Sequence, residues 1–199
     1  LKGNNLEKRF SSLLETDNFS ILELGFGAGI NFLCTWKHWL KTTSSKCILN
    51  YFAIERNPVS FDDLQLIIHK NFSSSSLATK LLLKYPINCR GWHRIQFSKG
   101  RINLTLAYGE VNEPLKSLNQ QKTKFDAIYL DGFAPNKNPE MWSQQVFDRL
   151  IKSSHKDTTF ATFSSSKLVK ENIIKSGFSV NLSKGFGNKK NMLSGKNQS

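Results

Sequence analysis

ILELGFGAGINFLCTW, residues 21–36, is the stretch that decides the fold of this chain. Ile21, Leu22 and Leu24 form an apolar run that predicts a buried strand, and a helical pattern starts soon afterwards at Ile30. The turn between them holds glycine at alternate positions: Gly25, Gly27 and Gly29. Glycine permits positive φ and lets a ligand approach the backbone, where the helix start offers free N–H groups. The stretch therefore predicts a ligand-binding turn, with a tight turn that binds nothing as the alternative.

Two acidic residues sharpen this prediction. Glu23 lies inside the strand, where a carboxylate is costly unless it binds something. Glu55 ends a second apolar run at residues 51–54, a position from which a carboxylate can accept hydrogen bonds from a ribose diol. The third glycine of the dinucleotide fingerprint G-x-G-x-x-G is missing, so the glycines alone do not identify the ligand.

Composition limits the classes of protein to consider. The chain has 199 residues, which suits a single domain over 1–199, and 39% of them are hydrophobic, which argues against disorder. The formal charge of +13 favours a polyanionic partner such as nucleic acid, although many lysine-rich proteins have none. Scattered cysteines without metal spacing, and no signal peptide or membrane-length apolar run, predict a cytoplasmic protein. Because the chain begins without Met, we expect it to be a fragment.

Strands and helices are predicted to alternate along the chain. Further strands are expected at 48–54, 102–108, 125–130 and 158–163, and helices at 6–14, 30–40, from 57, at 77–83, 139–150 and 167–176. Residues 86–100 are predicted to form an irregular connection, and 178–182 are expected to pair with 191–193 as a hairpin. This alternation predicts an α/β fold, a mostly parallel sheet with helices on both faces and a C-terminal antiparallel hairpin.

Acidic or glycine-bearing positions follow four of the predicted strands: 25–29, Glu55, Gly109 with Glu110, and Asp131. In open α/β sheets ligands bind at the carboxyl ends of the strands, so these positions are expected to meet. One acid for a ribose and another for an exocyclic amine, beside a backbone cradle, describe a nucleoside site. The phosphate-binding motif G-x-x-x-x-G-K-[ST] is absent from the sequence, so a nucleoside triphosphate is not expected.

The acid-x-Gly-x-Gly-x-Gly pattern from Glu23 to Gly29 resembles the first motif of class I S-adenosylmethionine-dependent methyltransferases, which have a Rossmann-like fold. ELGFGAGINF, YLDGFAPNKNPEMW, TFATFSSS and KGFGNKKNML resemble the methyltransferase domain of MnmC-type tRNA wobble-uridine modifying enzymes. The resemblance implies N-methylation of 5-aminomethyl-2-thiouridine to 5-methylaminomethyl-2-thiouridine in tRNA, with S-adenosylmethionine as cofactor and no metal. It also implies a partner for the same nucleoside, an FAD-dependent oxidase domain or protein; FAD itself is expected only if such a fused domain is missing here.

Particular residues take predicted roles. Asp131 is the predicted catalytic residue, positioned to accept hydrogen bonds from the substrate amine, with a turn or helix cap as the alternative. The predicted cofactor-binding residues are Glu23, Gly25, Phe26, Gly27, Gly29, Asn31, Glu55, Gly109, Glu110, Asp131 and Phe133. Glu110 is expected to meet the adenine amine, with a solvated acid at the strand end as the alternative. For Phe26 and Phe133 the alternative is a place in the core. Lys137, Lys189 and Lys190 are the predicted RNA contacts, and Met141 and Trp142 are expected in the core.

The chain departs from the family in two places. The family has several dozen residues before its GN-x-L element, and these are expected to be missing here. The tail carries Asn188, Lys190 and Asn191 where the family more often has Arg, Arg and Glu. Two other functions stay open: a methyltransferase of the same fold acting on a small amine or a protein, and a non-catalytic RNA-binding protein.

Overall fold

The structure, a computed structural model, describes residues 2–72, 75–132, 134–185 and 191–198. Its strands are β1 (Asn18–Leu24), β2 (Ile48–Glu55), β3 (Gly91–Phe97), β4 (Ile102–Tyr108), β5 (Phe125–Leu130), β6 (Ser154–Thr162), β7 (Asn181–Lys184) and β8 (Asn191–Lys196). Its α-helices are α1 (Leu6–Ser11), α2 (Ile30–Thr42), α3 (Phe61–Phe72), α4 (Ser76–Lys84), α5 (Asn112–Gln120), α6 (Gln144–Lys152) and α7 (Lys167–Lys175). None of the described helices is long and apolar enough to cross a membrane.

The strands form one sheet in the order β3-β4-β2-β1-β5-β6-β8-β7. The five strands β4, β2, β1, β5 and β6 pair in parallel, whereas β3 at one edge and the pair β8-β7 at the other are antiparallel. Strand order reverses beside β1, and in open α/β sheets this is where ligands bind. The predicted fold class and its C-terminal antiparallel hairpin are confirmed.

Alternation along β1 divides its side chains between two cores. Ile21 joins the cluster on the side of α2, where Phe32 and Trp36 are fully buried. Leu22 joins the cluster on the opposite side, with Phe147 of α6. Because both faces of the strand are covered, its carboxyl end is held firmly at the edge where the glycine turn begins.

The structure differs from the sequence assignments in several places. Residues 86–100 were predicted to be irregular, which is wrong for β3: this strand pairs antiparallel with β4 from Gly91 opposite Tyr108 to Phe97 opposite Ile102. As an edge strand it is half-exposed or exposed at six of its seven positions, so it lacks the apolar alternation that marks a buried strand. No helix was predicted at the position of α5, because its sequence NEPLKSLNQ is mostly polar. Its buried face consists only of Pro114, Leu115 and Leu118.

The helix predicted at 139–150 is divided. Glu140–Trp142 form a short 3₁₀ helix, and α6 begins at Gln144 after Ser143, whose ψ of 155° is extended. This break lets the first segment pack beside the loop after β5 while α6 packs against the sheet. Met141 and Trp142 are buried, as predicted.

Candidate active site

A cavity of about 270 Å³ lies at the carboxyl edge of the sheet, where β1, β2, β4 and β5 end. Six of the predicted site residues line it: Gly25, Gly27, Glu55, Gly109, Glu110 and Asp131. They come from four separate strand ends, so the convergence follows from the parallel sheet. Met141, predicted as a core residue, also lines the cavity.

The glycine turn needs its glycines for two different reasons. Gly25 has φ +91°, and a Cβ there would lie 2.7 Å from the carbonyl oxygen of Asp131, so only glycine lets the two loops meet. Gly27 has φ +52°, and a Cβ there would have no neighbour within 4 Å. Since Gly27 lines the cavity, this open space is where a ligand can approach the backbone. At Gly29 a Cβ would lie 2.7 Å from the ring of Phe26.

Glu55 holds the turn in place with both carboxylate oxygens. Its Oε2 accepts a hydrogen bond from the N–H of Gly27 at 2.9 Å, and its Oε1 accepts one from the N–H of Asn57 at 2.8 Å. Each carboxylate oxygen has a second acceptor position, so these bonds do not use up the capacity of Glu55. The residue is therefore able to bind hydroxyl groups in the cavity that it lines.

Glu23 is not a cavity-lining residue but a fully buried one. Its Oε1 accepts from Nδ2 of Asn31 at 2.8 Å, and its Oε2 accepts from the hydroxyl of Tyr51 at 2.9 Å. Burial raises the pKa of Glu23 to about 8. The two hydrogen bonds oppose this rise in pKa, whereas the charges of Asp131 and Glu55 add to it.

Asp131 follows β5 and faces the glycine turn. Its backbone N–H donates to the carbonyl of Leu24 at 3.1 Å, which extends the pairing of β5 with β1 beyond the strand. Its Oδ2 accepts from Nδ2 of Asn31 at 2.7 Å, and the side chain is otherwise exposed at the cavity. The carboxylate of this cavity-lining residue is thus oriented by a side chain of α2.

An ion pair also lines the cavity. Nε of Arg56 lies 2.9 Å from Oε1 of Glu110, and the two side chains are 49% and 40% exposed. Sequence reasoning had predicted Glu110 but missed Arg56, for which the only signal is its place directly after Glu55. One oxygen of Glu110 is therefore already paired with a cation.

Other predicted residues lie elsewhere. Phe26 is 3% exposed and packs against Phe32 in the core, with ring centroids 6.2 Å apart, so it does not line the cavity. Lys137 is exposed in the loop after β5, where its N–H donates to the carbonyl of Ala134. Phe133, Lys189 and Lys190 lie outside the described residues.

A metal site was not predicted. Across 2–72, 75–132, 134–185 and 191–198, no group of three or more His, Cys, Asp or Glu side chains is arranged to hold a metal ion.

Comparison with known proteins identifies the family. The family described as S-adenosyl-L-methionine-dependent methyltransferase matches residues 73–198, well over half of the chain. The chain belongs to this family, and its cofactor is therefore S-adenosylmethionine.

Two curated relatives carry the name tRNA 5-methylaminomethyl-2-thiouridine biosynthesis bifunctional protein MnmC. The protein from Methylobacillus flagellatus is 41% identical over 98% of this chain, which covers 30% of that relative. The protein from a Marinomonas species is 40% identical over 98% of this chain, which covers 28% of that relative. The chain thus spans under a third of the length of these relatives.

A solved structure supports the fold. The crystal structure of MNMC2 from Aquifex aeolicus matches with a TM-score of 0.76 at 18% identity, over 100% of this chain and 58% of that chain. At this level of identity the likeness concerns the fold alone.

Proposed function

We propose that this member of the family transfers the methyl group of S-adenosylmethionine to the amine of 5-aminomethyl-2-thiouridine at the tRNA wobble position. The product is 5-methylaminomethyl-2-thiouridine, the nucleoside in the name of relatives that are about 40% identical along 98% of the chain. The observation that carries the proposal is the placement of Asp131 in the same cavity as the open backbone of Gly27. A methyl donor and an amine acceptor are needed side by side, and this cavity offers a group suited to each.

The cavity fits the cofactor by its chemistry. Gly27 leaves backbone open to a ligand, Glu55 has acceptor positions for a ribose diol, and Glu110 has a free oxygen for an adenine amine. The carboxylates suit the positive charge of a sulfonium and the ammonium of a methionine moiety. When bound, S-adenosylmethionine supplies a methyl group that is already activated, so the protein has mainly to align the two reactants.

Asp131 is the proposed catalytic residue. With Oδ2 held by Asn31, its remaining oxygen is placed to accept a hydrogen bond from the substrate amine and so to aim the amine lone pair. The same carboxylate stabilises the positive charge that the nitrogen gains as the new C–N bond forms. This role requires no covalent bond to the protein.

The proposed RNA contacts are Lys137, Lys189 and Lys190. Lys137 is exposed in the loop that follows Asp131, close in sequence to the reacting centre. The formal charge of +13 supplies the general attraction to a polyanion that such contacts require. We further propose that an FAD-dependent oxidase, in a fused domain or a separate cytoplasmic protein, acts on the same nucleoside, since the relatives are named bifunctional.

The test is a single-turnover assay with methyl-labelled S-adenosylmethionine and tRNA that carries 5-aminomethyl-2-thiouridine. Nucleoside mass analysis should show one added methyl group on that nucleoside, and the same tRNA with unsubstituted 2-thiouridine should stay unlabelled. Label in a small amine or a protein instead would favour the alternative methyltransferase. Cofactor binding that is never followed by transfer to any of these acceptors would contradict the proposal.

A glycine variant tests the cofactor cradle separately. Gly27→Val should abolish S-adenosylmethionine binding in a calorimetric titration, because the side chain would fill the open space and disfavour positive φ. Gly100→Val is the matched control: Gly100 also has positive φ and open space, but it lies outside the cavity. Gly100→Val should bind the cofactor normally. Wild-type affinity in folded Gly27→Val would place the cofactor elsewhere.

A further inference from the structure

The side-chain amide of Asn31 lies between two acidic residues that are far apart in the sequence. Its Nδ2 is 2.8 Å from Oε1 of Glu23 and 2.7 Å from Oδ2 of Asp131. An amide nitrogen carries two hydrogens, so each acid receives one of them. If the amide were flipped, its oxygen would face the two carboxyl oxygens, which are themselves acceptors. The two acids therefore require the nitrogen of Asn31 to face them.

Among the residues that the structure describes, no positive charge compensates Glu23 from the elements packed around it. The polar groups that face or influence it are neutral or acidic: Asn31 of α2, Tyr51 and Glu55 of β2, and Tyr129 and Asp131 from β5 and the loop after it. An ionised Glu23 would be a fully buried anion close to the carboxylate of Asp131, which is costly. A neutral Glu23 still accepts from Asn31 through Oε1, and when its hydrogen is on Oε2 the bond with Tyr51 is reversed, so that Glu23 donates to the Tyr51 oxygen.

We propose that Glu23, in its neutral form, is a positioning residue for methyl transfer: through Asn31 it fixes the carboxylate of Asp131 toward the substrate amine. The inference rests on the proposed catalytic role of Asp131. When Glu23 loses its proton, it binds the Asn31 amide more strongly and repels Asp131, so the Asp131 carboxylate is no longer held. Glu23 therefore sets an alkaline limit to the reaction without touching substrate or cofactor.

The first test uses the unaltered chain and requires no substrate. The side-chain amide signals of Asn31 in a ¹⁵N NMR spectrum should move with pH, with a midpoint near the pKa of Glu23, about 8. Glu23→Gln, which cannot ionise, should remove this movement. Asn103 is the matched control within the same spectrum, because its amide donates to Asn50 and Gly100 instead of to an acid. An Asn31 signal that stays constant from about pH 6 to pH 10 would overturn the proposal.

The second test is kinetic and compares the unaltered chain with Glu23→Gln. The ratio of their single-turnover rates cancels the titration of the substrate amine, which both share. We express the result as the Glu23→Gln rate divided by the wild-type rate. One pH unit above the Asn31 midpoint, about nine-tenths of Glu23 is ionised, so about one-tenth of the wild type keeps the active arrangement. The ratio should therefore rise about tenfold between neutral pH and that pH. A ratio that does not change with pH would overturn the proposal.

Asparagine variants separate positioning from simple structural damage. Asn31→Ala should slow transfer about tenfold or more at saturating substrate. When both glutamate forms carry Asn31→Ala, the ratio of the Glu23→Gln rate to the Glu23 rate should no longer depend on pH, since the link to Asp131 is gone. Asn103→Ala removes a partly buried asparagine of β4 and should leave both readouts unchanged. An Asn31→Ala rate equal to wild type would overturn the proposal. Failure of the parent chain to methylate tRNA would contradict only the proposed function, because the Asn31 titration needs no tRNA.

Discussion

Two glutamates at the same edge of the sheet are treated in opposite ways by the fold. Glu23 is fully buried, and its side-chain hydrogen-bond partners among the described residues, Asn31 and Tyr51, are neutral. Glu110 is 40% exposed and faces the guanidinium of Arg56. The buried carboxyl keeps its proton into the neutral range, whereas the exposed one has a cation beside it. The position of a glutamate in the sheet thus decides its state: Glu23 is a buried neutral group, whereas Glu110 is part of an exposed ion pair.

The largest expected effect is on stability and concerns Glu23. Its pKa is raised from 4.5 to about 8 on folding, so the folded state holds a proton that the unfolded state has lost. The stability contributed by this proton is complete below pH 4.5 and is lost as the pH rises toward 8. The loss is on the order of 5 kcal/mol, because each tenfold change in proton affinity is about 1.4 kcal/mol and the pKa rises from 4.5 to about 8.

Glu23→Gln should therefore remove this slope. In denaturant unfolding, the stability of Glu23→Gln relative to wild type should increase from about pH 5 to pH 8 and then level off. Glu110→Gln is the matched control from the other side of the comparison, because it makes the same carboxylate-to-amide change at an exposed position. Parallel pH profiles for Glu23→Gln and wild type would mean that Glu23 is ionised when folded.

The second largest effect is expected on the rate of methyl transfer and concerns Asp131, the residue that Glu23 orients through Asn31. Asp131→Ala should slow single-turnover methyl transfer about 100-fold, equivalent to about 2.7 kcal/mol, because the amine loses its acceptor. Affinity for tRNA should barely change, since phosphate contacts dominate it. A variant that binds tRNA about tenfold more weakly but transfers normally once saturated would make Asp131 a docking residue.

Glu55 lies between the two extremes, because it is nearly buried yet lines the cavity. Glu55→Ala should weaken S-adenosylmethionine binding by about 1.5–3 kcal/mol, the range for hydrogen bonds to charged groups. Part of that loss comes from releasing the N–H groups of Gly27 and Asn57. Asp63→Ala, which removes an exposed acid bonded to Ser60, is the control in calorimetry. A loss of only a few tenths of a kcal/mol would place the ribose elsewhere.

Sequence reasoning could predict which strand-end residues meet at one cavity because the parallel sheet leaves their positions little freedom. Gly27, Glu55, Glu110 and Asp131 each follow a strand of strong apolar pattern, and parallel strands bring such positions to one edge. Strand β3 escaped prediction because only Phe97 at its end is buried, which leaves too short an apolar period to detect.

The partners of the acids could not be predicted in the same way. Asn31 donates to Glu23, which is close in the sequence, and to Asp131, which is far from it. The spacing of these residues in the sequence does not show whether Asn31 bonds them or the cofactor. Glu23 was predicted as a cofactor contact because a buried acid requires a partner, and the structure supplies that partner internally. Such pairings depend on how α2 packs on the sheet, which is a tertiary property.

The smallest expected effect is that of the Arg56–Glu110 ion pair. Both side chains are about half exposed, so water and salt screen their attraction. A double-mutant cycle with Arg56→Ala and Glu110→Ala should give a coupling in unfolding free energy of about 0.2–1 kcal/mol that shrinks with added salt. A larger coupling that is insensitive to salt would mean that the Arg56–Glu110 pair is shielded from solvent, as Glu23 is.

Cofactor binding gives the same pair a second readout. If one oxygen of Glu110 is to meet the adenine amine, Arg56 competes for the same carboxylate and also fixes its orientation. Glu110→Ala should therefore weaken S-adenosylmethionine binding by about 1 kcal/mol, whereas Arg56→Ala should change it by less than half of that in either direction. Calorimetry on both variants checks this order. If Arg56→Ala weakens binding more than Glu110→Ala does, the arginine is the group that contacts the cofactor, and the glutamate serves only to hold it.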